Sequence, residues 1–196
     1  RREQIRVMRV RDNLATGPTF GRHLGGYLID EKTDDFCMQL DSHMDFLDHW
    51  DTELIDMWKM VDNEYGILST YVPGFGMIEK YQANGGGLQV PHLCSIEFRN
   101  QLPRNLPAKA ASYLQKPIMA NVWAAGFSFA KCHFELNIPY DGKLTGIFDG
   151  EEFSRMARLW TAGYDVYAPR KNIVYHEYSS KYTQQLQRWR RIKQSL

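Results

Sequence analysis

Apolar positions recur along this chain with two different periods, and the changes of period mark its elements. Trp50, Leu54, Met57, Trp58 and Val61 fall three or four residues apart, which puts them on one face of a helix over 48–63. Asp51 and Glu53 in its first turn suit the positive end of the helix dipole. Residues 36–40 and 67–72 are short apolar runs, the second closed by Pro73-Gly74, and read as buried strands. Residues 4–10 alternate like a further short strand, and Gly17-Pro18 opens a helix through Leu28. After Phe148-Asp149-Gly150-Glu151-Glu152 an amphipathic helix begins, with Phe153, Met156, Ala157 and Trp160 expected on its core face. Ile173-Val174-Tyr175-His176 reads as a last short strand. Strands alternating with helices predict an α/β fold with a mostly parallel central sheet, covered by helices on both faces.

The stretch 73–117 breaks this rhythm. It holds Asn84-Gly85-Gly86-Gly87 and the prolines Pro91, Pro103, Pro107 and Pro117 without a long periodic segment, so it reads as irregular or edge structure. A surface insertion and a loop region facing a second substrate both fit that pattern.

Composition narrows the class. A chain of 196 residues suits a single domain over 1–196, and 43% apolar residues can fill its core. A formal charge of +1 gives no global attraction to nucleic acid or to a membrane surface. No apolar run is long enough to span a bilayer, and Arg1-Arg2-Glu3-Gln4 does not look like a signal peptide. Cys37, Cys94 and Cys132 are far apart and lack C-x-x-C spacing, so they read as small buried hydrophobes in a reducing compartment rather than a disulfide or zinc framework. The basic tail, with Arg188, Arg190, Arg191 and Lys193 around Trp189, reads as a solvated terminal helix.

Candidate chemistry concentrates where the apolar run Met38-Gln39-Leu40 breaks into Asp41-Ser42-His43. Side chains two apart on extended backbone project to one side, so Asp41 and His43 can reach one point past a strand end, where nucleotides lie in open α/β sheets. A carboxylate beside an imidazole suits manganese better than calcium or magnesium. An acid capping the next helix, with a surface histidine beside it, gives the same letters. His176 at the end of the last strand is a candidate third ligand, although a lone histidine there is more often structural. Asp149, Glu151 and Glu152 fit the favourable end of a helix dipole, and equally fit hydrogen bonding to sugar hydroxyls. In Trp123-Ala124-Ala125-Gly126-Phe127, small residues let backbone come close to a ligand while rings exclude water.

Taken together, these stretches resemble the catalytic domain of the cytoplasmic hydroxyproline α-N-acetylglucosaminyltransferases and their bacterial and protist relatives. The matching residues are Gly17-Pro18 with Arg22, Gln39-Leu40-Asp41-Ser42-His43-Met44, Trp50-Asp51 with Leu54-Ile55, Trp123 to Phe127, and Phe148 to Trp160. A more distant similarity to polypeptide N-acetylgalactosaminyltransferases runs in the same order, including Tyr140-Asp141, Gly150-Glu151 and a late histidine. The resemblance implies a GT-A fold that lacks its first strand-helix unit here. It also implies a retaining transfer of N-acetylglucosamine from UDP-N-acetylglucosamine to a protein hydroxyl, in the cytoplasm, with a divalent metal, usually manganese. Asp41, His43 and His176 would then be metal ligands. Arg22, Asp41, Trp123, Ala125 and Gly126 would touch the donor, and Asp149, Glu151 and Glu152 would act at the reacting sugar or its acceptor. A non-catalytic nucleotide-sugar or carbohydrate-binding module and a metal-dependent hydrolase are the competing readings.

Overall fold

The computed structural model describes residues 4–83 and 89–178. In chain order the elements are α1 (Pro18–Gly26), β1 (Phe36–Leu40), β2 (Met44–Phe46), α2 (Trp50–Val61), β3 (Gly66–Ser69), α3 (Ile78–Ala83), β4 (Val90–His92), β5 (Ile96–Arg99), β6 (Leu102–Asn105), β7 (Lys109–Ala111), β8 (Ile118–Ala120), β9 (Phe127–Lys131), α4 (His133–Asn137), α5 (Glu151–Thr161), β10 (Asp165–Ala168) and β11 (Val174–His176).

Five strands form the central sheet in the order β1-β9-β3-β10-β8. Only β3 and β10 pair in parallel, while β9 lies antiparallel between β1 and β3 and β8 lies antiparallel on β10. The sheet is therefore mixed, which corrects the mostly parallel sheet expected from alternating elements. Periodicity carries no strand direction, and β9 enters between two strands that precede it by a long stretch of chain.

Successive residues of the strands feed opposite faces, as the two-residue period requires. Ile67, Ala130, Val166 and Leu159 pack together on one side of the sheet. On the other, Leu68, Phe127 and Phe129 meet Leu54, Met57 and Trp58 of α2. The helix α2 thus buries the stripe that its sequence pattern marks.

Helix α5 does not. Trp160 is 66% exposed and Phe153 37%, while Glu151, Arg155 and Leu159 face inward. The apolar face expected from Phe153, Met156, Ala157 and Trp160 is thus turned partly to solvent. The inward polar residues are tolerated because each finds a partner of opposite charge, Arg155 on Glu135 at 2.8 Å and Glu151 on Arg22.

Two further expectations change. Residues 5–10 form no strand, and Ile5 and Val7 stand exposed, with Arg6 tying the segment to Asp34 and to the Leu28 carbonyl. Cys37 and Cys132 are joined in a disulfide, which corrects their reading as inert buried thiols. The register that sets Cys37 opposite Ala130 brings Cys132, just past β9, within a Cα separation of 4.7 Å. That pairing also removes the argument for a reducing compartment that cysteine spacing offered.

The proline-rich middle folds into two antiparallel ribbons, β4 with β7 and β5 with β6. Asn84-Gly85-Gly86-Gly87 and the basic tail lie outside the described residues. Among the described residues no helix is long and apolar enough to cross a membrane.

Candidate functional site

The strand β1 delivers Asp41 to the sheet edge, and the turn before β9 delivers Ala125 and Gly126 beside it. The Asp41 N–H donates to the Gly126 carbonyl at 3.0 Å. A side chain on residue 126 would put its Cβ 3.1 Å from Asp41 Oδ2, so glycine lets the carboxylate lie against this turn without being pushed aside. Arg22 of α1 reaches over both. Its Nη2 pairs with Asp41 Oδ1 at 2.9 Å and donates to the Ala125 carbonyl at 3.3 Å, and its Nη1 pairs with Glu151. Burial works against the Arg22 charge, but Tyr140, Glu151 and Asp41 outweigh it and hold the guanidinium above its ordinary pKa.

The acidic turn closes the opposite wall. Gly150, at φ 88°, reverses the chain so that α5 starts with Glu151 and Glu152 pointing into the site. Their hydrogen bonds go across the site instead of to the helix's own amides. Glu152 accepts from the Ala125 N–H at 2.9 Å and from the Tyr71 hydroxyl at 2.7 Å, while Glu151 takes Arg22. Burial, above all, raises the pKa of both carboxyls, and Asp41 adds to the rise at Glu151. The same burial, together with Glu152, pushes the Tyr71 phenol far above its ordinary value, so Tyr71 stays a donor. Asp149, more exposed, pairs with Arg104 at 3.3 Å.

These groups line one cavity of about 310 Å³. Of the residues expected from sequence, Arg22, Asp41, Ala125, Gly126, Asp149, Glu151, Glu152 and His176 lie on its wall. Trp123 does not: it is fully buried and packs in the core near Ala125 and Tyr140. His43 stands beside the cavity, its ring centroid 6.4 Å from that of His176. The pairing of β11 with β2 creates this neighbourhood by setting His176 opposite Met44, and the His43 carbonyl accepts the Glu177 N–H at 3.0 Å.

Whether this corner suits a divalent ion turns on its donor set. A carboxylate and two imidazoles are ligands for manganese or another borderline ion. His176 Nδ1 is buried and meets no hydrogen-bond partner among the described residues, which leaves one nitrogen for such a role. Asp41, however, is engaged by Arg22, and among the described residues no three His, Cys, Asp or Glu side chains converge as a ready metal site. The residue types suit such an ion, but their side chains do not converge on one point.

Sequence reasoning passed over four polar wall residues, Tyr71, Arg104, Asn105 and Tyr178. Tyr71 follows β3, Arg104 and Asn105 end β6 of the proline-rich middle, and Tyr178 sits two residues past His176, its ring 4.4 Å away. A polar residue just past a strand end is the one signal that could have marked Tyr71. Nothing local marks the other three.

A mixed α/β fold with a carboxylate-lined cavity at the sheet edge admits many functions, and comparison with known proteins narrows them. The family model described as "Glycosyltransferase (GlcNAc)" matches residues 1–195, so the chain belongs to that glycosyltransferase family. Among solved structures it is similar to GalNAc-T7, crystallised with UDP, GalNAc and Mn2+, with a TM-score of 0.56 and 16% sequence identity. That alignment covers 83% of this chain and 31% of GalNAc-T7, a likeness of fold that supports a GT-A-like architecture. A search of curated protein sequences gives no match.

Proposed function

We propose that this chain carries the donor site of a retaining, metal-dependent transferase that moves N-acetylglucosamine from UDP-N-acetylglucosamine to a protein hydroxyl, hydroxyproline or a Ser/Thr-type group. The observation that supports this reading most is the cross-site network in which Arg22, Ala125 and Tyr71 hold Glu151 and Glu152 along one cavity wall. A helix cap would spend those carboxylates on its own amides. Here they are held on the cavity wall by groups from three other segments.

In this reading the Ala125-Gly126 turn admits the diphosphate close to backbone, and Arg22 balances the acids around it. Asp41, His43 and His176 would hold a divalent ion, whose chemistry when bound would be to stabilise the negative charge of departing UDP. The donor's anomeric carbon–phosphate oxygen bond breaks as the acceptor oxygen bonds to the same face of that carbon. The acceptor proton passes to the leaving phosphate oxygen. Glu151 and Glu152 fix donor hydroxyls, and Asp149, held by Arg104, orients the acceptor at the rim. Arg22, Asp41, Ala125 and Gly126 contact the donor, and Trp123 supports that wall from the core. GalNAc-T7, a structure holding UDP and Mn2+, is consistent with a UDP-sugar donor and manganese here.

Incubation with UDP-N-acetylglucosamine and manganese, with and without a hydroxyproline peptide, tests the proposal. Sugar on the peptide is expected. Free sugar alone would mark a hydrolase, and binding of UDP without either product would mark a binding module.

A further inference from the structure

A second cavity lies against the first. It measures about 370 Å³, and its walls include Leu102, Pro103, Leu144, Ile147 and Phe153. Pro103, Asp149, Gly150 and Glu151 belong to both cavities, so the acidic turn is a partition with the donor cavity on one side and this one on the other. We propose that this second cavity is the acceptor subsite, and that it takes a neutral, apolar segment of the acceptor polypeptide.

Its chemistry differs from that of the donor cavity. Leu102 and Phe153 are 47% and 37% exposed, large apolar side chains left at the surface where they line a concave site. Arg155 also lines it and is 2% exposed. Its Nη2 donates to Glu135, and the guanidinium lies 4.5 Å from the Tyr140 ring centroid, while Nε and Nη1 find no acceptor among the described residues. The wall offers no net charge to attract a charged segment, because Arg155 is matched by Glu135, Glu151 by Arg22 and Asp149 by Arg104, while Arg158 and Asp141 offset one another. Peptide backbone with apolar side chains meets all these conditions at once. Position gives the occupant its role: a segment seated here brings a neighbouring residue over the rim of Pro103 and Asp149 to the donor.

The inference rests on the transferase reading for the role of acceptor, and its test separates the two. Two synthetic peptides, each with one hydroxyproline, flanked in one by leucine and valine and in the other by aspartates, are titrated by calorimetry into the wild type, Phe153→Asp and Leu102→Asp. Phe153 is the third residue of α5, where an acid suits the helix dipole, and Leu102 is at the surface, so both variants are expected to fold. The apolar peptide should bind the wild type at least tenfold more tightly than either variant and than the acidic peptide does. UDP affinity with manganese should stay within twofold in all three proteins. Equal binding of the apolar peptide by wild type and variants, preference for the acidic peptide, or no peptide binding by the wild type overturns the inference. Failure of wild type to bind UDP with manganese overturns the transferase reading instead.

Discussion

The two halves of the cavity proposed to take the donor are built differently. On the acidic side, Arg22, Glu151, Glu152, Tyr71 and the Ala125 amide already form a connected set, with Glu151 only 5% exposed. On the other side, Asp41, His43 and His176 are neighbours without convergence, and the Asp41 side chain is 44% exposed. The difference follows from cost. A buried carboxylate has to be matched inside the fold or it destabilises it, whereas a half-exposed one such as Asp41 keeps part of its hydration. The acidic wall is thus part of the protein's stability, and the proposed metal corner depends on it less.

That contrast is broken most directly at the metal corner. Asp41→Ala and His43→Ala should each abolish manganese-dependent UDP binding by calorimetry while the melting temperature moves by only a few degrees, about 1 kcal/mol or less. Unchanged manganese and UDP affinity in both variants would remove these residues from the metal site. Arg22→Met tests the other half. It leaves Glu151 and Asp41 without their cation, and loss of one partner from a buried pair costs about 3–5 kcal/mol. Urea denaturation should show that loss, and a change under about 1 kcal/mol would mean that the acidic wall is no more integral than the metal corner.

The smallest effect sharpens the comparison by pH. Because burial raises the folded-state pKa of Glu152, the folded chain holds that proton more tightly than the unfolded chain. Its contribution to stability is therefore full below the ordinary glutamate value of about 4.3 and declines as pH rises through the raised one. Glu152→Gln should flatten that decline in denaturant midpoints measured across pH 4–8, roughly the span where raised carboxyls titrate. For function the proposed reading gives the opposite sign, since in it the ionised carboxylates hold the donor. Transfer by the wild type should fall off on the acid side at a pH above the ordinary glutamate range. A profile flat down to about pH 4 would mean that neither Glu151 nor Glu152 needs its charge.

The sequence alone determined the local pieces. The stripe of α2, the strand before Asp41, the strand before His176 and the helix after Gly150 are each written in neighbouring residues, because period and turn chemistry act over a few positions. The acidic turn, the small-residue turn and the Asp-x-His were visible as candidates for the same reason. Tertiary structure decided what the pieces do to each other. It turned β9 antiparallel between β1 and β3, joined Cys37 to Cys132, and rotated α5 so that Glu151 and Arg155 face inward and Trp160 faces out. It also drew Tyr71, Arg104 and Asn105 to the cavity from segments with no catalytic pattern. Such contacts join residues far apart in the chain, and their energy depends on which surfaces are buried together, a property that no short window of sequence contains.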